Sequence, residues 1–205
     1  MNIMEDIETN EELVEEQNED QVEQDDYQTD EQFAYQIKIP EERVAVLIGT
    51  AGNVKNEIEK ETGSNLDISA EGDVQITGSD ALNLFVTREI VRAIGRGFNP
   101  EYALELLKQD YVLEIMSLKD IAGKSQKTME RLKGRVIGRG GKSRDKIESM
   151  TNCNITVYGK TIGIIGETSD VSLARQAVAM LLQGSMHKTV FKFLEDKLKE
   201  ARFGM

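Results

Sequence analysis

The sequence predicts an α+β protein built from two copies of one β-α-α-β-β-α unit, each a three-stranded sheet with helices on one face. Three observations predict it. The chain repeats itself: aligning Ile48 with Ile137, an offset of 89, sets IGTAGNVKNEIEKETGSNLDI over IGRGGKSRDKIESMTNCNITV. Gly49 falls on Gly138, Gly52 on Gly141, Ile58 on Ile147, Glu59 on Glu148, Thr62 on Thr151 and Asn65 on Asn154; after a one-residue deletion Ile76 falls on Ile164 and Gly78 on Gly166. In both copies, segments of period two flank segments with apolar residues at three- and four-residue spacing. Finally, 205 residues hold two small domains of this plan better than one large one.

The elements follow in order. Each unit opens on an alternating segment, YQIKIP at 35–40 or YVLEIMSL at 111–118. A short helical stretch comes next, EERVAVLI in the first copy and a region ending in RLKGRVI in the second, and then a glycine turn. The helix after the turn carries Val54, Ile58 and Glu61, or Arg144, Ile147 and Met150. Two strands follow: NLDIS and DVQIT, or NITVY and TIGII. In the closing helices Ser79-Asp80 and Ser169-Asp170 supply cap-type residues, and Gly95 and Gly184 sit past the ends. Val171, Ala174, Ala177, Val178, Leu181 and Leu182 make one apolar stripe, which is core. Between the copies NPEYALELLKQ, with Asn at the cap position and Pro at the first helical one, reads as a linking helix. The expected organisation is an acidic tail over 1–34, a first domain over 35–97, a linking helix over 98–109, a second domain over 110–184 and an amphipathic C-terminal helix over 185–205.

Charge is unevenly placed. The whole chain carries −12, but residues 1–34 hold fourteen Asp or Glu and no Lys or Arg, leaving 23 acidic against 25 basic residues elsewhere, a net of +2. So acidic a tail cannot bury enough apolar surface to offset its ordering entropy and is expected to be disordered. It reads as a solvating tail, or as an arm that folds back on a basic site or docks on a basic partner until RNA displaces it. Cys153 is the one cysteine and His187 the one histidine, so no disulfide, zinc cluster or nucleophilic triad can be argued; no metal site and no cofactor are expected. The acidic N-terminus has no signal-peptide pattern and no apolar run approaches membrane-spanning length, which implies a soluble, cytoplasmic protein with no membrane partner.

The glycine turn is the feature with chemistry in it. A P-loop needs a glycine five positions before Gly141-Lys142-Ser143, where Val136 stands; a dinucleotide fingerprint needs a third glycine at Ser143. Both nucleotide readings fail. A Gly-x-x-Gly turn between two helices instead lets another backbone approach closely and aims the free N–H groups and positive dipole end of the next helix at a phosphate.

The I-G-x-x-G turn, the β-α-α-β-β-α order and its duplication resemble K-homology (KH) RNA-binding domains of type I. Such domains clamp about four nucleotides of single strand between the loop and an apolar groove. The joint IGRGFNPEYALELL, followed by RVIGRGGKSRDKIE and LARQAVAMLLQGS, is similar to the archaeal branch of the Partner-of-Nob (Dim) family of ribosome-biogenesis factors, over roughly residues 35–200. The resemblance implies a non-enzymatic RNA-binding assembly factor for the small ribosomal subunit. It would act near the 3′ end of precursor ribosomal RNA, with a PIN-domain endonuclease and with the α subunit of translation initiation factor two as partners. A general KH adaptor in RNA decay or messenger regulation is the alternative within the binding class; a nuclease or NTPase is the alternative outside it.

The two turns differ in charge. Residues 131–146 hold seven basic residues (Arg131, Lys133, Arg135, Arg139, Lys142, Arg144, Lys146) against Asp145, while the aligned 42–57 holds Arg43 and Lys55 against Glu42 and Glu57: +6 against 0. The second unit is therefore expected to hold the phosphodiester backbone, although a solvated charged face would carry the same residues. Gly138, Arg139, Gly140 and Gly141 would form the gripping loop, with Lys142 and Arg144 adding charge and Arg131, Lys133 and Arg135 extending the positive path. Val136, Ile137 and Ile147 are candidates for the groove floor or for core, and Ile155 and Val157 belong to the strand beside the bases. The first turn, Gly49, Thr50, Ala51 and Gly52 with Lys55, is expected to bind RNA weakly or to contact protein.

Overall fold

Alternating apolar residues place one face of each strand set against helices. In the computed structural model, which describes residues 33–203, this gives two three-stranded antiparallel sheets, each with its helices on one side. The first unit runs β1 (Phe33–Lys38), α1 (Glu41–Ile48), α2 (Asn53–Thr62), β2 (Asn65–Ile68), β3 (Asp73–Gly78) and α3 (Ala81–Gly95). The second runs β4 (Tyr111–Ser117), α5 (Lys119–Ala122), α6 (Gln126–Ile137), α7 (Lys142–Thr151), β5 (Asn154–Tyr158), β6 (Thr161–Glu167) and α8 (Thr168–Leu182), and α9 (His187–Phe203) follows. Between them lies the connector, α4 (Pro100–Ala103) and a 3-10 turn at Leu104–Leu107. Strand orders are β1-β3-β2 and β4-β6-β5, so the last strand of each hairpin is central and β2 and β5 are edges. The acidic tail lies outside the described residues apart from its last two, Phe33 and Ala34, which open β1.

Each unit has its own core. Leu47, Ile58, Leu66, Ile76 and Ile90 are buried in the first, and Leu132, Val136, Ile147, Ile164 and Val178 in the second. Val190 and Leu194 of α9 join the second core, so the C-terminal helix is packed into that unit. Two helix-end expectations need correction. The closing helix of the first unit is capped by Asp80, whose Oδ1 accepts from the N–H groups of Leu82 and Asn83. In the second the helix starts at Thr168 instead, because Thr168 N and Oγ1 both donate to the Asp110 carbonyl and tie the turn to the start of β4; Asp170 falls inside the first turn. Gly95 is the last residue of α3 rather than a residue past it, and a Cβ there would sit 2.6 Å from Ile39 Cγ2; the positive φ that ends the helix belongs to Gly97.

The linking helix is a single α-turn with a 3-10 continuation, and it packs instead of spanning. Phe98, Ala103 and Leu106 are buried with Ile165, whose side chain points away from the second unit's own helices. Gly163 leaves room for the Phe98 ring: a Cβ there would meet Phe98 Cε2 at 2.6 Å. From Thr161 to Gly166 every residue of β6 is buried, and two-faced burial explains its apolar run TIGII. Fully burying one such side chain contributes roughly 1.5–3 kcal/mol. Across the same interface the Tyr158 hydroxyl donates to Glu42 Oε1, and the Arg43 guanidinium lies 5.9 Å from the Tyr158 ring centroid. Burial, and then the Glu42 bond, raises the Tyr158 hydroxyl above its ordinary pKa. No helix among the described residues is long and apolar enough to cross a membrane.

Candidate nucleic-acid interface

Both glycine turns adopt one backbone. Gly49 and Gly138 sit at φ 75, ψ 176 and φ 73, ψ 177; Ala51 and Gly140 at φ 54, ψ 26 and φ 62, ψ 30; Gly52 and Gly141 at φ 80 and 81. The first glycine is sterically required. A Cβ on Gly138 would lie 2.6 Å from Ser143 Cβ and 2.9 Å from its backbone nitrogen, and one on Gly49 would strike Asn53 and Val54. The third loop position is open space, so Gly140 stands free where Ala51 holds a left-handed conformation against its side chain's preference.

The helix starts behind the turns differ between copies. At the start of α2, Asn53 Oδ1 accepts from the Val54 N–H at 2.9 Å, filling one of the donors a phosphate would use. At the start of α7 the aligned residue is Lys142, exposed and unable to accept, and no side chain among the described residues caps the helix. Beneath it Ser143 Oγ is buried and has no hydrogen-bond partner among the described residues. The Lys142 N–H donates to the Arg139 carbonyl within the turn. A helix N-terminus without a side-chain cap, flanked by Arg139 and Lys142, can bind an anion through the donors that follow and its dipole together.

The basic residues named from the sequence do not all face this point. Arg139, Lys142 and Arg131 are exposed. Arg135 is not part of the positive path: its Nε donates to the Leu181 carbonyl at 2.9 Å and its Nη2 to the Ser185 carbonyl at 2.6 Å, closing the C-terminus of α8. Arg43 closes α3 in the same way, at 2.8 Å to Ile94 O and 2.5 Å to Phe98 O. Lys133 is paired with Glu130 at 3.0 Å, and Arg144 lies 3.1 Å from Asp145 Oδ1 and 3.6 Å from Glu148 Oε2. Widening the windows to include Glu130 and Glu148 gives +4 for 130–148 against −2 for 41–59, so the difference of six survives.

Val136 and Ile147, fully buried, belong to the core and cannot floor an open groove; Ile137 is half-buried. Ile155 is buried at 4% exposure and Val157 half-buried with its face to the core. The residues beside the free edge of β5 are Arg144 and Glu148 of α7 together with Gly97, Phe98, Asn99 and Tyr102 of the connector. Sequence reasoning read the connector as a linking helix and did not place it beside β5. It also missed Glu148, whose Oε1 accepts from the Ile155 N–H at 2.7 Å, as Glu59 accepts from Leu66 N at 2.7 Å. The Glu59–Glu148 match in the repeat was the available signal. His187 Nε2 contacts the Arg135 carbonyl at 2.8 Å, a packing role at the start of α9. Cys153 is buried, which pushes its thiol up to about 11 and keeps it protonated at neutral pH.

Comparison with known proteins agrees with this geometry. A KH domain family model matches residues 34–92, and a eukaryotic-type KH domain (type I) model, that of the second Pno1 domain, matches 112–199. A KH domain-containing protein of Methanocaldococcus jannaschii is 53% identical over 174 residues, covering 82% of this chain and 76% of the relative. The RNA-binding protein pno1 of Drosophila melanogaster is 34% identical over 113 residues; the chain spans 47% of that relative's length. Among solved structures, a chain of the a/eIF2alpha–aDim2p–rRNA complex of Pyrococcus horikoshii matches with a TM-score of 0.77 at 42% identity, over 82% of this chain and 96% of that one. A protein of unknown function from Aeropyrum pernix matches with a TM-score of 0.80 at 37% identity, over 84% and 94%. With two type I K-homology units, the order of their strands and these relatives in agreement, the chain belongs to the Dim2/Pno1 family of tandem KH proteins.

Proposed function

We propose that the chain is a single-stranded RNA-binding assembly factor for the small ribosomal subunit, which holds precursor ribosomal RNA near its 3′ end and performs no chemistry on it. The observation that carries this reading is the uncapped, cation-flanked start of α7 behind Gly138–Gly141, in a chain 42% identical to one crystallised in a complex with rRNA. Gly138, Arg139, Gly140 and Gly141 grip a phosphate, Lys142 supplies charge, and Arg144 faces the nucleotides from α7. The first unit, with Asn53 occupying its own helix start, braces the second and contacts protein. The a/eIF2alpha complex of the relative supports the α subunit of translation initiation factor two as one partner. A PIN-domain endonuclease acting on the same RNA end is the other, and the work takes place in the cytoplasm.

Crosslinking the full chain to RNA in cells and sequencing the fragments tests the reading. Fragments concentrated at the 3′ end of precursor small-subunit rRNA are expected. Fragments spread across messenger RNAs would replace it with a general KH adaptor.

A further inference from the structure

A cleft of about 320 Å³ runs along the free edge of β5. One wall is α7, where Arg144 and Glu148 lie; the back is the Asn154 end of β5; the opposite wall is the connector, presenting Asn99 and Tyr102. The cleft begins one helical turn from the Gly-x-x-Gly loop, since Arg144 is the third residue of α7. Its polar groups are not saturated. Arg144 Nε is buried without a hydrogen-bond partner, with Glu148 Oε2 3.6 Å away, and the Asn99 side chain makes no capping bond although it occupies the cap position of α4. Tyr102 is 39% exposed and lines this mainly polar cleft.

The connector wall is fixed. The Phe98 ring is seated against Gly163, Ala103 is fully buried, and Asn154 Nδ2 donates to Glu105 Oε2 at 2.7 Å, so strand and connector are tied across the cleft's floor. The Tyr102 N–H donates to the Asn99 carbonyl at 3.1 Å, which sets both side chains on one turn. An aromatic side chain on an anchored turn, across the cleft from an arginine, suits a splayed nucleobase: the base stacks on the ring while its edge meets polar groups.

We infer that the connector is the far wall of the second unit's RNA groove, with Tyr102 stacking a base that the Gly-x-x-Gly loop delivers and Asn99 hydrogen-bonding beside it. The inference rests on the reading that the second unit holds single-stranded RNA. It makes the groove a product of the tandem arrangement, since an isolated second unit lacks one wall.

The test uses the full chain and a single-stranded RNA carrying the 3′ end of small-subunit rRNA, with 4-thiouridine at successive positions. Tyr102→Ala is expected to weaken binding roughly five- to hundredfold, while Tyr102→Phe binds as the parent does. Irradiation of the unaltered chain is expected to crosslink RNA to the peptide containing Tyr102. Parent-like binding by Tyr102→Ala, equal loss in Tyr102→Phe, or crosslinks that avoid this peptide would each overturn the inference, and the crosslink decides even if a variant folds poorly. Arg139→Asp with Gly140→Asp separates the two levels. If that pair loses affinity and Tyr102→Ala does not, only the connector wall falls; if that pair binds normally, the RNA reading itself falls.

Discussion

Gly49–Gly52 and Gly138–Gly141 trace the same backbone to within a few degrees at their first glycines, yet they end in different helix starts. In the first, Asn53 Oδ1 turns back on Val54 N–H; in the second, Lys142 cannot accept, and no side chain among the described residues caps the helix start above a buried, unpartnered Ser143 hydroxyl. The comparison separates two things a Gly-x-x-Gly motif can encode. The glycines are needed for the turn itself, since a Cβ at either first glycine would overlap the next helix. Anion binding depends on the first residues of that helix.

The largest effect that would break this contrast is on RNA affinity. Arg139→Asp with Gly140→Asp is expected to cost about ten- to hundredfold, on the order of one or two charge-assisted contacts, and Thr50→Asp with Ala51→Asp less than about threefold. Asp fits both loops, because it tolerates positive φ and Gly140 has open space around it. Measured against salt concentration, the second-loop variant should also lose about 0.7 from the slope for each phosphate contact removed, and the first-loop variant should not. Equal losses from the two loops would show that backbone geometry, not the helix start, decides binding.

Stability sorts the arginines next. Arg135→Ala and Arg43→Ala are each expected to destabilise by about 1–3 kcal/mol, since they leave helix-end carbonyls without a donor. Arg139→Ala, exposed in its loop, should stay within about 0.5 kcal/mol in a denaturant titration. A smaller effect concerns the third loop position: Ala51→Gly should stabilise by up to about 1 kcal/mol by relieving left-handed strain, and Gly140→Ala should destabilise by a similar amount. The smallest is pH-dependent. Because the folded Tyr158 hydroxyl titrates above the ordinary tyrosine pKa, its contribution is complete below about 10 and is lost as pH rises through the folded value. Thermal melts of the parent should therefore lose stability at alkaline pH more steeply than those of Tyr158→Phe.

Much of this was legible in the chain itself. The repeat located both turns, and the short apolar segments, alternating in five cases and continuous in TIGII, located all six strands to within two residues at either end. The site was legible only where chemistry lies close in sequence: Gly138 to Lys142 form one continuous loop. Arg135 reads as a surface cation because nothing local shows that the end of α8 comes within 2.9 Å of it. Val136 and Ile147 read equally as groove or core because apolar spacing reports burial without saying which side of the helix meets solvent. Residues 98–109 read only as a linking helix because the seating of Phe98, Ala103 and Leu106 against Gly163 and Ile165 depends on contacts some sixty residues away.

That last contact has a consequence for the chain as a whole. With Phe98, Ala103 and Leu106 seated on the outer face of β6, the duplicated units are not beads on a string. A fragment stopping at residue 97 would discard its share of this seam, and one starting at residue 110 would leave Ile165 and the bare glycine notch at 163 in water. The repeat should accordingly melt in one cooperative step, and neither half should behave as a transplantable cassette.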